Sequence, residues 1–285
     1  MFFKFYKQIG DFSNKTIRNL AKDLNVLKIG HTGILDPLAE GLIIFATDDD
    51  TKLFEYLKNT KKTYIATARL FLQSDTLDVT GNVEELKKKN ITRLELINAI
   101  NQISKTKSQV PPIYSAKKIN GKKAYEYARE NKIIEIKQQS INIDYIELID
   151  FIGDTFKIRT TVSSGTYIRT LLLDIAKLLG TRCVMTSLKR IAIGEVELDS
   201  LKVPGEYSKI KMELLFDIPK YYANQAELKE LSFGRKILVN LSYETLFIIN
   251  SSTNEIASVG EIQNNYFYPK KFLIGDWYER IKRTN

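Results

Sequence analysis

A chain of 285 residues that is 44% hydrophobic and 27% charged suits one large globular domain plus a small one, and that composition excludes a wholly disordered chain. Its 43 Lys and Arg against 34 Asp and Glu give a formal charge of +9. With no basic amphipathic helix of bulky apolar face to direct that charge to a membrane, the expected partner is nucleic acid. The only cysteine, Cys183, excludes an intrachain disulfide and fits a reducing, cytoplasmic location, and one histidine beside one cysteine argues against a metal cluster.

The opening Met1-Phe2-Phe3-Lys4-Phe5-Tyr6-Lys7 is broken by lysines and too short for a secretion signal, and no later run reaches the roughly twenty apolar residues of a membrane span. Ser13 or Asn14 is positioned to cap a helix whose apolar residues Ile17, Leu20, Ala21 and Leu24 share one face. That helix leads into Gly30-His31-Thr32-Gly33-Ile34-Leu35-Asp36-Pro37-Leu38-Ala39-Glu40-Gly41-Leu42. Here Pro37 holds Asp36 out of the helical region, so its carboxylate is offered from a loop. An isolated Asp-Pro is usually only a turn. Three glycines followed by the buried-strand run Leu42-Ile43-Ile44-Phe45-Ala46 instead describe a rigid mount for a reactive group.

Further along, Thr51 is expected to cap a second helix through Leu53, Phe54 and Leu57, and Tyr64 to Phe71 reads as a strand. The stretch Ile91 to Ile100 reads as a helix beginning near Thr92. In Gln109 to Arg129, Pro111-Pro112 stiffens an extended segment, after which Lys117, Lys118, Lys122 and Lys123 interleave with Tyr114, Tyr125 and Tyr127. That alternation suits an RNA backbone, although any one of the lysines alone reads as solvated surface. The strand Ile158-Arg159-Thr160-Thr161-Val162 turns at Gly165 into a helix with Ile168, Leu171, Leu172, Ile175, Leu178 and Leu179 on one stripe, ended by Gly180. Arg169 stands at that helix's start, able to project toward the Asp36 loop. After Pro204-Gly205-Glu206, a candidate boundary, short strands with glycine turns (Leu231 to Ile237, Thr245 to Ile249, Val259 to Ile262, Tyr266 to Lys271) suggest a small β-barrel.

The Gly30 to Leu42 run, the Lys61-Lys62-Thr63-Tyr64 start of a strand, Gln109 to Arg129 and Ser163 to Leu171 together resemble the bacterial tRNA pseudouridine synthases of the TruB type, over roughly Lys7 to Ile191. Three departures are Ile34 and Glu40, where the family has small or hydroxyl residues, and Lys7-Gln8, where it commonly has Lys-Pro. None removes the carboxylate. The resemblance implies an α+β pseudouridine synthase fold, a central mixed or antiparallel sheet flanked by helices. Residues 1–203 would form the catalytic domain, with an RNA-clamping insertion at about 105–150. Residues 204–285 would form a small β-rich PUA-like domain, either an RNA-binding appendage or a structural cap.

It further implies isomerisation of uridine 55 in the T-loop of tRNA to pseudouridine after base flipping, by a monomer needing no cofactor, metal or guide RNA. The resemblance makes Asp36 the essential residue, Tyr64 an aromatic wall for the base and a helper in proton movement, and Arg169 the partner of Asp36. A guanidinium beside a carboxylate favours its charged form and fixes its orientation. His31 would lie against the RNA, Tyr167 and Leu188 would line the pocket, and Lys117 and Lys118 would contact the backbone. Taken alone, a strand tyrosine, a lone histidine and Leu188 would all read as packing. Two alternatives stay open, a non-catalytic RNA-binding or RNA-folding protein on the same scaffold and the catalytic subunit of a guide-RNA complex. Asp36, Tyr64 and Arg169 together disfavour the first, and the modest length disfavours the second.

Overall fold

The computed structural model describes residues 1–130, 132 and 134–273. A nine-stranded sheet organises it: β1 Phe2–Lys7, β2 Ile29–His31, β3 Glu40–Thr47, β4 Lys62–Leu70, β5 Ile143–Ile152, β6 Thr155–Val162, β7 Cys183–Ile193, β8 Val196–Glu197 and β9 Tyr207–Lys209. The main path runs β5-β6-β4-β7-β3-β1-β9, with β2 on β3 and β8 on β7. Every pairing is antiparallel except β7 with β3, which run parallel through Lys189↔Glu40 and Arg190↔Gly41. The sheet is therefore mixed, and its one parallel seam lies where the Asp36 loop enters β3.

The seam explains one glycine. Gly41 has φ +110, and a Cβ there would stand 2.2 Å from the Arg190 carbonyl oxygen. Gly41→Ala is expected to destabilise the protein by at least about 2 kcal/mol, from backbone strain and overpacking together, read as a lower urea midpoint.

The strands β1 and β3 read as nearly continuous apolar runs because both their faces are covered. Phe3, Phe5, Ile43 and Phe45 join the cluster beneath the helices, whereas Phe2, Tyr6, Leu42 and Ile44 join a second cluster on the opposite face. The helices of the first face are α1 Ser13–Asp23, α2 Arg93–Ile103 and α4 Ile168–Leu178, while the short α3 Ala124–Arg129 lies on the excursion after α2. α2 begins where expected, and Thr92 caps it with a reciprocal Glu95 contact.

Two expected caps fail. The residue before α1 is Phe12, which makes no side-chain cap. Ser13 instead donates to the Leu35 carbonyl at 2.8 Å and accepts from the Leu35 amide at 3.1 Å. The hydroxyl tethers the Asp36 loop, a long-range use that local pattern does not reveal. Thr51 starts no helix either. A 3-10 helix runs Asp48–Tyr56, and Thr51 Oγ1 donates back to the Asp48 carbonyl at 2.7 Å.

The lysine- and tyrosine-rich excursion closes where Ser108–Gln109 pairs with Gln139–Ser140, so Ile143 to Asp150 lies in the sheet edge. A second sheet holds β10 Lys220–Ala223, β11 Ile237–Leu238, β12 Thr245–Asn250, β13 Ile256–Gln263 and β14 Tyr266–Phe272, in the order β10-β12-β13-β14-β11. Its strand-rich, half-barrel form is consistent with a PUA-like unit. In the stretch 231–237 expected as strand, Leu231 and Ser232 end α5 Gln225–Ser232, which is capped by Asn224 with a Glu227 contact, a turn follows, and only Ile237 is strand. The expected domain 204–285 begins with β9, which pairs with β1 of the first sheet, and its residues 274–285 lie outside the described residues.

Candidate active site

Asp36 opens a β-turn, closed by the Ala39 amide on the Asp36 carbonyl at 3.0 Å, with Pro37 at the position whose fixed φ suits such a turn. Beneath the turn lies Lys7, fully buried, whose ammonium donates to the carbonyls of Ala39 at 2.6 Å, Gln8 at 2.9 Å and Pro37 at 3.3 Å. Arg190, 1% exposed, donates from Nε to Leu42 at 2.6 Å and from Nη2 to Gly33 at 3.0 Å. Two buried cations thus grip the loop by its carbonyl groups. Glu40 is held too, accepting from the Tyr6 hydroxyl at 2.9 Å with Lys189 at 3.6 Å.

Arg169 comes from the first turn of α4, where a cation opposes the helix dipole and needs compensation. Its compensation is visible. Nη2 meets Asp36 Oδ2 at 3.0 Å and the Tyr114 carbonyl at 2.9 Å, while Nη1 meets the Thr76 carbonyl at 2.7 Å and Asp78 Oδ2 at 3.6 Å. Arg169 and Asp78 are buried, but the Asp36 side chain keeps 40% of its surface. One carboxylate is structural by burial; the other is offered to solvent. Asp78 Oδ1 also accepts from Thr76 Oγ1 at 2.8 Å, the Thr80 amide at 3.0 Å and Thr80 Oγ1 at 2.5 Å.

Sequence reading passed over this second carboxylate. The signal was Ser74-Asp75-Thr76-Leu77-Asp78-Val79-Thr80-Gly81, dense in side chains that bond their own backbone. Gly81 is required there, since a Cβ would stand 2.2 Å from Asp75 Oδ1 and 2.4 Å from Thr76 Oγ1. Lys7 and Arg190 were likewise missed as parts of the site, because each acts from a strand that otherwise reads as core.

Tyr64 lies in a row that crosses the sheet from Thr160 through Tyr64, Arg190 and Gly41 to Lys7. It is buried, in one cluster with Leu35, Ala39 and Leu188. Leu188 stands opposite Ala66, two residues from Arg190 and on the same face. Lys62 shares the Tyr64 face of β4, and its ammonium donates to Ser164 Oγ at 2.9 Å.

Burial, opposed by Asp11 and Asp36, lowers Lys7 to about 8, and burial with Arg190 repulsion lowers Lys62 to about 8. Between about pH 8 and the usual lysine value of 10.5, the unfolded chain binds more protons at these positions than the folded one. Their contribution to stability therefore rises with pH across that window. Lys62→Met should lose part of this rise, seen as the difference in urea midpoints between variant and parent over the same range.

The remaining expected residues scatter more widely. His31 Nε2 pairs with Asn14 Oδ1 at 3.2 Å, and burial and Arg190 lower its pKa. Its Nδ1 is buried and has no partner among the described residues. His31 borders a cleft of about 430 Å³ shared with Asn14, Arg18, Lys28 and Phe54. The Tyr167 backbone is read at both ends by the buried Gln109 amide, at 2.9 and 3.1 Å, which fixes the start of α4 and hence Arg169. Lys117 and Lys118 are not brought to Asp36. Lys117 donates to Gln139 Oε1 at 2.9 Å within the excursion, and Lys118 is exposed on a two-stranded turn there. Lys122 packs over Tyr127 and Lys123 over Tyr125, so these pairs brace the excursion itself.

A family model described as TruB family pseudouridylate synthase (N terminal domain) matches residues 21–168. The tRNA pseudouridine synthase B of Mycoplasmopsis pulmonis is 37% identical over 275 residues, 96% of this chain and 95% of that protein. The protein of the same name in Mesomycoplasma hyopneumoniae is 36% identical over 288 residues, covering 98% and 84%. A chain in the crystal structure of a Cbf5-Nop10-Gar1 complex superposes on 97% of this chain and 86% of its own, with a TM-score of 0.66 and 18% identity, a likeness of fold.

Proposed function

Because this chain belongs to the TruB family of pseudouridylate synthases, we propose that Asp36 acts directly on the target uridine, with Arg169 as its positioning partner and Tyr64 as the wall beside the base. The protein is an isomerase that makes pseudouridine in tRNA, and the uridine it takes is that at position 55 of the T-loop. In the reaction the bond from ribose C1′ to uracil N1 breaks and a bond from C1′ to C5 forms. The C5 hydrogen leaves as a proton and N1 gains one. No electrons are exchanged with a second reactant.

What carries this reading is the asymmetry of Arg169, which is buried against one buried carboxylate and one exposed one. Asp36 is thereby aimed and still reachable by a flipped nucleotide. Extruding that nucleotide costs a few kcal/mol, which stacking on an aromatic face offsets by about 1–3 kcal/mol. His31, Tyr167 and Leu188 complete the surroundings of the nucleotide, and the excursion bearing Lys117 and Lys118 meets the RNA backbone. Residues 1–203 supply the chemistry and the later strands support them.

The test is tritium release from an unmodified tRNA transcript carrying [5-³H]uridine. The purified protein alone is expected to release tritium from the T-loop uridine. Release that requires an added guide RNA would select the guide-dependent reading, and binding without release would select a non-catalytic one.

A further inference from the structure

Of the cations around the Asp36 loop and the start of β4, Arg169, Lys7, Lys61 and Arg190 are answered by the protein, Arg190 by the Leu42 and Gly33 carbonyl groups. Arg169 has two carboxylates, Lys7 has three carbonyl groups, and Lys61 has Asp144 at 2.9 Å. Lys62 is different. It is only 9% exposed, and among the described residues its ammonium has one hydrogen-bond partner, the Ser164 hydroxyl. Among the described residues, no Asp or Glu oxygen lies within 4.0 Å of it. Its charged neighbour is a second cation, Arg190, which raises the cost of keeping Lys62 protonated. A lysine ammonium has three donors, so two remain to be used.

Although Lys62 is largely buried, a Cβ at Gly33 would lie 3.6 Å from its Nζ, so the glycine keeps a side chain off that side of the ammonium. Ser164, on the other side, is exposed. Lys62 also precedes Tyr64 by two residues on the same face of β4, about 7 Å along the strand. That spacing is of the order of a nucleotide's own reach from base to backbone phosphate.

We propose that Lys62 is a phosphate-binding residue, taking a phosphodiester oxygen that flanks the nucleotide standing against Tyr64. The inference rests on the pseudouridine synthase reading and deepens it. The RNA would bring the anion that the folded protein lacks, and Arg190, already engaged with Gly33 and Leu42, would strengthen the local positive potential without touching the ligand. A cation held out of water before binding loses little more hydration when the phosphate arrives, so the contact is stronger than one made by a solvated surface lysine.

The experiment measures Kd by fluorescence anisotropy for the full-length protein and its Lys62→Gln variant. The RNAs are an unmodified T-arm and two T-arms with one uncharged methylphosphonate, placed 5′ or 3′ of the target uridine. For the parent protein, one of the two methylphosphonates is expected to weaken binding about tenfold, as loss of a charge-assisted hydrogen bond does. Lys62→Gln should weaken unmodified RNA to a similar degree, suffer no further loss from that same methylphosphonate, and lower the slope of log affinity against log salt by about one. Two methylphosphonates that leave the parent's affinity unchanged would overturn the proposal without recourse to any variant. So would penalties that simply add. Because affinity is read independently of turnover, absence of tritium release would count against the catalytic reading, whereas an additive cycle would count against Lys62.

Discussion

Replacement of Asp36 by asparagine is expected to reduce pseudouridine formation below detection while leaving tRNA affinity within about one order of magnitude. The substitution keeps the size of the side chain and an oxygen for Arg169 Nη2, so the turn closed by Ala39 and the grip of Lys7 on Pro37 and Ala39 survive it. What is lost is a charged oxygen at a part of the arrangement that solvent reaches. Single-turnover tritium release beside an anisotropy titration separates the two quantities. Turnover equal to the parent's would remove Asp36 from the chemistry.

Arg169→Met should be costly in both stability and activity. It leaves Asp78 buried without its cation and Asp36 without its orienting partner, and removing one member of a buried ion pair costs about 3–5 kcal/mol. The carbonyl groups of Thr76 and Tyr114 lose their donors as well. Adding Asp78→Asn to Arg169→Met should restore part of the stability, since the buried charge is then gone, but not the turnover, since Asp36 is still unaligned. Urea midpoints and tritium release on the parent, the two single variants and the double variant decide it. Turnover recovering in step with stability would mean that Arg169 serves the fold alone.

The Asp36 loop was legible because its information is local: a proline after the aspartate, glycines at both ends and a strand behind. The neighbours of Arg169 placed it at a helix start within reach of that loop, but its pairing with Asp36 came from the family resemblance. The helix start near Thr92 and the strand at Tyr64 also follow from neighbours in sequence. What escaped was everything that the loop leans on from far away. Ser13 looked like a helix cap and is spent on Leu35, a contact 22 residues distant. Lys7 and Arg190 looked like ordinary strand residues, and only the register Lys7↔Gly41 and Arg190↔Gly41 puts them under the same turn. Asp78 lies in a stretch whose hydroxyls and carboxylates bond one another, apart from the oxygen turned to Arg169.

The strand that leaves the Asp36 turn has on one of its apolar faces Leu42, Ile44 and Ala46, pressed into the same cluster as Phe247, Ile249 and Val259 of the second sheet and Leu273 just after it. The later residues consequently form the back wall of the catalytic strand whether or not they ever meet RNA. A shortened chain ending near residue 203 would leave that wall open to water, and its loss of turnover would report a strand set adrift and say nothing about a lost tRNA contact.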